Sequence, residues 1–183
     1  MRRLSVALVH HPVYDRQRAV VTTAITNLDL HDIARSAHTY GLSDFFVVHP
    51  ISAQRELAQR VRDHWVSGSG ARRIPDRSPA LGIVSVVPDV DSALAAVGPE
   101  VELWTTSALQ GESCLTFPAA RQRLAEAGPP VLILFGTGWG LSHELHARAA
   151  HQLEPIRSPR EDGYNHLSVR AAAAIIFDRL RGR

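Results

Sequence analysis

The chain has 183 residues, 45% of them hydrophobic, and a formal charge of +2. That length suits one domain with a sizeable core. The composition excludes a disordered chain, and no apolar run approaches the ~20 residues of a membrane-spanning helix. Cys114 is the only cysteine, which excludes an internal disulfide and a cysteine-rich zinc site. All 20 basic residues are arginine, a bias that a GC-rich genome explains; the small net charge permits an acidic partner without requiring one.

Met1-Arg2-Arg3 ahead of residues 4–9 looks superficially like a secretion signal. The apolar run is short, however, and His10-His11-Pro12 ends it without a small-residue cleavage site, so it reads as a first strand in a cytoplasmic protein. Asp29 then stands as an N-cap, with Leu30, Ile33, Ala34 and Ala37 on one helical face and Gly41 at the end. Residues 45–48 form a second strand stopped by His49-Pro50, and residues 52–66 suit a helix. The stretch "SGSGARRIPDRSP" (67–79) reads as a mobile loop. Strands at 81–87 and 101–104 bracket a helix at 89–97. A helix near 118–127 starts at Pro118 and closes at Gly128. Residues 131–135 are a fully apolar strand, followed by a glycine turn and a helix from about 141 to 150. The last helix starts near Ser168.

This alternation predicts an α/β fold, with a mostly parallel sheet and helices on both faces. Ligands of such sheets sit at the carboxyl ends of the strands. Three stretches fall there: "WTTSALQGES" (104–113), "FGTGWGLSHE" (135–144) and "EPIRSPREDGYNHLS" (154–168). In the second, the glycines permit close backbone approach and offer N–H donors. The spacing is not the dinucleotide fingerprint, and Trp139 suits a planar, weakly charged ligand; a tight structural turn is the alternative. In the third, Pro155, Pro159 and Gly163 restrain a long loop, and Asn165 is either an N-cap or a ligand group. Tyr164, Asn165 and His166 run directly into the apolar 171–177 segment, an unusual place for three polar side chains. His143 and His146 lack the zinc spacing H-E-x-x-H, so no metal is expected. Arg55, Arg60, Arg62, Arg72, Arg73 and Arg77 crowd one stretch around Trp65, a mixture that suits RNA and equally a solvated helix face followed by a loop.

"LFGTGWGL" and "PI…YNHLSVRAAAAI" resemble the last two signature loops of the SPOUT, or α/β-knot, RNA methyltransferases. "TNLDLHDIARSAHTYGLSDFFVVHP" (26–50) resembles the first. The likeness covers nearly the whole chain in order. It is closest to a stand-alone bacterial subfamily similar to the catalytic domain of tRNA (guanine-N1)-methyltransferases. The resemblance implies a single domain over 1–183, a C-terminal trefoil knot, S-adenosylmethionine as cofactor, an RNA substrate (tRNA or rRNA), and a homodimer built through the knot region. A catalytically inactive RNA-binding knot protein is the alternative.

By the same resemblance, Thr105, Thr106 and Ser107 match the first cofactor loop, and Phe135, Gly136, Gly138, Gly140 and Leu141 the glycine loop. Ile156, Tyr164, Asn165, His166, Leu167 and Ser168 match the third. The ribose-methylating branch has a glutamate in the glycine loop and an asparagine where His166 stands, so ribose 2′-O and base nitrogen both stay open. Arg35 matches the family arginine. Asp29 and His31 are candidates for the general base, although Asp29 is also an ordinary helix starter. Asn27, Arg35, Arg72, Arg73 and Arg170 fall on the RNA side.

Overall fold

The computed structural model describes residues 1–111 and 113–183. In chain order the first elements are β1 (Leu4–Val9), β2 (Val13–Tyr14), β3 (Val20–Val21), α1 (Asn27–Thr39), β4 (Asp44–Val48), α2 (Ser52–Val66), α3 (Ser69–Arg73), α4 (Ser78–Gly82) and β5 (Val84–Val87). There follow α5 (Val90–Val97), β6 (Glu102–Thr105), β7 (Cys114–Leu115), α6 (Phe117–Ala125), β8 (Val131–Gly136), α7 (His143–Arg148), β9 (His151–Leu153) and α8 (Val169–Arg181). Seven strands form one sheet in the order β5-β4-β1-β8-β6-β9-β7, and every pairing in it is parallel.

The central strands β1, β4 and β8 are buried on both faces, which is why they read as nearly continuous apolar runs rather than alternating ones. Leu4, Val6 and Leu8 of β1, with Val131, Ile133 and Phe135 of β8, face the layer of α1, α2, α4, α6 and α8. Ala7, Val9, Leu132 and Leu134 face α5 and α7. Phe135 and Phe177 of α8 meet edge to face, with centroids 5.8 Å apart. Helices therefore cover both faces, as expected.

Several local expectations are corrected. Thr26, not Asp29, caps α1: its hydroxyl accepts from the Asp29 N–H at 3.2 Å and donates to Asp29 Oδ2 at 2.7 Å. This is a variant of the capping box: Asp29, at the third helical position, reaches back to the Thr26 hydroxyl rather than to its backbone N–H. Ser168, not Asn165, caps α8, accepting from Ala171 N–H at 3.3 Å. The 67–79 stretch is not a loop. It holds α3, a turn of 3-10 helix at Pro75–Arg77 and the start of α4. Packing overrides its Gly and Ser content: Gly70 is buried where a Cβ would meet the Trp65 ring at 2.8 Å. The segment 141–150 makes only the short α7 before β9, a strand that the sequence reading misses along with β7 and the β2–β3 hairpin. Among the described residues no helix is long and apolar enough to cross a membrane.

Candidate functional site

β8, β6 and β9 are neighbours in a parallel sheet, so their carboxyl ends lie side by side. The turns that leave them are 106–113, 137–142 and 154–168, and Glu112 lies outside the described residues. The first and third turns share a cleft of about 290 Å³, lined in part by Ala108, Gln110, Ile156, Arg157 and Asn165. That volume is near the lower end for a small-molecule cleft, ~300 Å³. Arg157 Nη2 donates to Gln110 Oε1 at 2.8 Å and ties the two turns together, while Gln152 Nε2 of β9 donates to Leu109 O at 3.2 Å and holds the first turn to the sheet. Asn165 Nδ2 donates to Ile156 O at 2.8 Å and closes the third turn on itself. Tyr164, His166 and Leu167 are exposed, with the Tyr164 and His166 rings 5.4 Å apart.

The anticipated residues of the first turn are engaged with the protein. Thr105 is fully buried and its hydroxyl lies 3.0 Å from His146 Nδ1 on α7. Burial first, then the charges of His143 and Arg18, lower the pKa of His146 below the ordinary histidine value. Thr106 gives both its N–H (3.2 Å) and its hydroxyl (2.9 Å) to Leu134 O, and Ser107 Oγ accepts from Leu109 N–H at 3.0 Å. What the turn presents to the cleft is thus mainly backbone.

The glycine turn is built differently from the expectation of open N–H donors. Trp139 N–H donates to Tyr14 O at 2.9 Å, Gly140 O accepts from Tyr14 N–H at 2.9 Å, and Thr137 N–H donates to Val9 O at 3.2 Å. Tyr14 of the β2–β3 hairpin, absent from the sequence reading, engages the Trp139 N–H and the Gly140 carbonyl, and the end of β1 takes the Thr137 N–H. Glycine is required here by space: a Cβ on Gly136 would lie 2.5 Å from Leu141 N, and Gly138, at φ +58, has Tyr14 O within 2.9 Å of its Cβ position. The Phe135 and Leu141 side chains are core, 2% and 3% exposed, so only their main chain can face a ligand.

Beneath this turn runs a polar chain. Thr137 gives its hydroxyl proton to Val9 O, Thr23 and Thr137 share a short hydrogen bond, and Thr23 Oγ1 lies 3.0 Å from His10 Nδ1. With Thr137 donating to Val9, Thr23 donates to Thr137 and accepts from His10 Nδ1–H. That leaves His10 Nε2 as a buried acceptor with no partner among the described residues. Burial, then the nearby His49, pushes the His10 pKa down to about 4, with Asp29 acting in the opposite direction.

The polar turn of α1 lies beside it. Asp29, 8% exposed, receives Arg170 Nη1 at 3.1 Å as well as the Thr26 hydroxyl, and Arg170 Nε lies 3.5 Å from Asp32 Oδ2. Both Asp29 oxygens are thus occupied, which sets it poorly for taking a substrate proton. Arg170 likewise is already matched by carboxylates, which weakens its case as a primary phosphate contact. His31 stands edge-on to Trp65 at 5.4 Å; burial, then Arg77, lowers its pKa, with Asp32 opposing. Arg35 and Asn27 are exposed, and Arg35 has no partner among the described residues. Arg72 and Arg73 are exposed on α3, while Arg77 stacks over Trp65 at 4.7 Å.

A seven-stranded parallel sheet, with its turns gathered at the ends of β8, β6 and β9 ahead of a C-terminal helix, is a fold shared with solved methyltransferases. The chain superposes on a SpoU methyltransferase from Streptomyces viridochromogenes in complex with AdoMet (97% of this chain, 56% of that one, TM-score 0.55, 17% identity). It also superposes on a probable methyltransferase from Bordetella pertussis (98% and 95%, TM-score 0.64, 18% identity). At such identities the likeness is one of fold. The model of the SAM-dependent RNA methyltransferase family matches residues 3–182, and the chain belongs to that family. S-adenosylmethionine is the family's cofactor. A tRNA (guanine-N(1)-)-methyltransferase of Nitratidesulfovibrio vulgaris is 44% identical over 99% of this chain, which spans 42% of that longer protein. An uncharacterized protein of Aquifex aeolicus is 35% identical, over 97% of this chain and 88% of its own length.

Proposed function

We propose that the cleft between the 106–113 and 154–168 turns, with the glycine turn as its third wall, holds S-adenosylmethionine, and that the protein methylates tRNA. The observation that carries this is the joining of the first and third turns around one ligand-sized cleft, at the carboxyl ends of adjacent parallel strands. The residues fit such a cofactor. Backbone groups dominate the first turn, Arg157 at the rim supplies a cation for a carboxylate, and Asn165 holds the third turn in shape. When bound, the sulfonium supplies an electrophilic methyl group. The protein's part is to align the RNA nucleophile with it, exclude water and receive the proton a ring N–H or hydroxyl loses.

Arg35, exposed and unpaired on α1, serves the substrate side. His31, neutral because its pKa is lowered, suits proton acceptance better than the doubly engaged Asp29. Arg72, Arg73 and Asn27 extend the RNA surface. The tRNA assignment rests on the name of the Nitratidesulfovibrio relative, and a base nitrogen rather than ribose 2′-O follows from the same name. We also propose a trefoil knot in which the segment leading to α8 threads an earlier loop, a homodimer through the half-buried Ala171, Ala172, Ala174 and Ile175 face, and a cytoplasmic location.

Calorimetry with S-adenosylmethionine and its demethylated product tests the cleft; folded protein giving no heat with either sinks it. Transfer of radiolabelled methyl to total RNA from a deletion strain, followed by mapping of the modified nucleotide, tests the substrate. Cofactor binding without any transfer would favour an inactive RNA-binding knot protein.

A further inference from the structure

The β2–β3 hairpin clamps the glycine turn on its outer side and leaves two groups facing solvent that the methyl-transfer reading does not use. The first is Trp139, 56% exposed, whereas Trp104 is fully buried and Trp65 half-buried. Its backbone is rigid: the N–H is held by Tyr14 O at 2.9 Å, and flanking glycines at φ +58 and +99 set the turn. The second is Arg18. Its guanidinium lies 4.2 Å from the centroid of the Tyr14 ring, and the Tyr14 hydroxyl in turn accepts from His143 N–H at 3.0 Å. Trp139 and Arg18 therefore flank Tyr14, one joined to its carbonyl and the other stacked on its ring.

Arg18 adopts φ +65, in the left-handed region where glycine is the default choice. A strained backbone held at one exposed arginine is a reason to look for a use of its side chain. Asp15, the acid of the hairpin, is turned inward: its Oδ1 accepts from Gln17 N–H at 2.8 Å and Ala19 N–H at 2.9 Å. Arg16 and Arg18 are both left exposed at the tip. Arg18 is close enough to α7 for its charge to act on His146, which lies against Thr105 of the first turn. Trp139 itself stands in the glycine turn, the third wall proposed for the cleft.

We propose that this hairpin face is a docking site for single-stranded RNA: Trp139 stacks on one unpaired base next to the nucleotide being methylated, and Arg18 and Arg16 grip the adjoining phosphates. The chemistry is that of stacking platforms with flanking cations, which tolerate any base because every base has a π face. The inference rests on the RNA-methyltransferase reading and adds where the strand lies. It also explains why an exposed indole stands between two glycines of this turn.

The test uses the full-length protein and an unstructured single-stranded RNA 12-mer, with tryptophan fluorescence and anisotropy as readouts. RNA is expected to quench Trp139 emission. Trp139→Ala is expected to weaken RNA binding by about 5- to 100-fold, the range of one base stack. Arg18→Ala is expected to weaken it less and to reduce the slope of affinity against salt by about one ion. Circular dichroism and thermal denaturation check that each variant is folded. If both variants, folded, bind the 12-mer as the parent protein does, the docking site is wrong. If the parent protein transfers no methyl to RNA, the fault lies with the functional reading instead.

Discussion

Arg170 Nη1 and Asp29 Oδ1 stand 3.1 Å apart although 141 residues separate them in the chain. The pair joins the first turn of α8, just past the third cofactor turn, to the first turn of α1. Arg170→Ala is expected to destabilise the fold by about 1–2 kcal/mol, because it leaves the buried Asp29 carboxylate uncompensated. Adding Asp29→Asn to that variant should recover part of the loss. Urea titrations of the parent, both single variants and the double variant close the cycle; strictly additive losses would mean that the pair is not coupled.

Gly136→Ala is expected to disturb the glycine turn, since its Cβ would lie 2.5 Å from Leu141 N and 2.8 Å from Gly140 C, both main-chain atoms that cannot swing away. Overpacking of this kind costs about 1–3 kcal/mol. The loss should appear in thermal denaturation together with weaker S-adenosylmethionine binding. Unchanged affinity would remove the glycine turn from the cofactor site.

Asn165→Ala removes the 2.8 Å bond to Ile156 O that shapes the third turn. One neutral hydrogen bond contributes about 1 kcal/mol, so cofactor affinity is expected to fall roughly fivefold with little change in global stability. Calorimetry beside a melting curve separates the two effects, and a large drop in melting temperature with intact affinity would assign Asn165 to the fold alone.

His10 makes stability depend on pH. Its pKa is about 4 in the folded protein and near the ordinary 6.5 when unfolded, so between those values the unfolded chain holds the extra proton. Stability is therefore expected to fall as pH drops from about 6.5 toward 4, by about 3 kcal/mol from this residue alone. The lowered pKa values of His31, His49 and His146 act in the same direction. His10→Asn, which keeps a donor toward Thr23, should flatten that part of the slope in denaturant titrations at several pH values. Parallel pH profiles for parent and variant would contradict the burial of a neutral His10.

Much of the architecture was legible because fully buried parallel strands and amphipathic helices leave distinct periods. The 4–9, 52–66 and 131–135 segments, and the helix opening at Ser168, stand where the pattern puts them. Short pieces were not legible. β7 and the two strands of the hairpin are two residues each, and α3 and α4 are made of residues that favour loops in isolation. Trp65 decides that region by covering Gly70, a contact no local pattern announces.

By itself the sequence determined the alternating α/β order, the glycines of the 136–140 turn and the likeness to a methyltransferase family, since each depends on neighbouring residues or on motif wording. Only the tertiary structure decided that Thr26 and Ser168 do the capping, that Asp29 is tied to Arg170, and that a hairpin from the front of the chain takes the Trp139 N–H of the glycine turn. The last two outcomes turn on which hydrogen-bonding groups meet across more than a hundred residues, about which local propensity carries no information; the caps are local contacts, but the folded backbone decides which nearby side chain reaches the free amides.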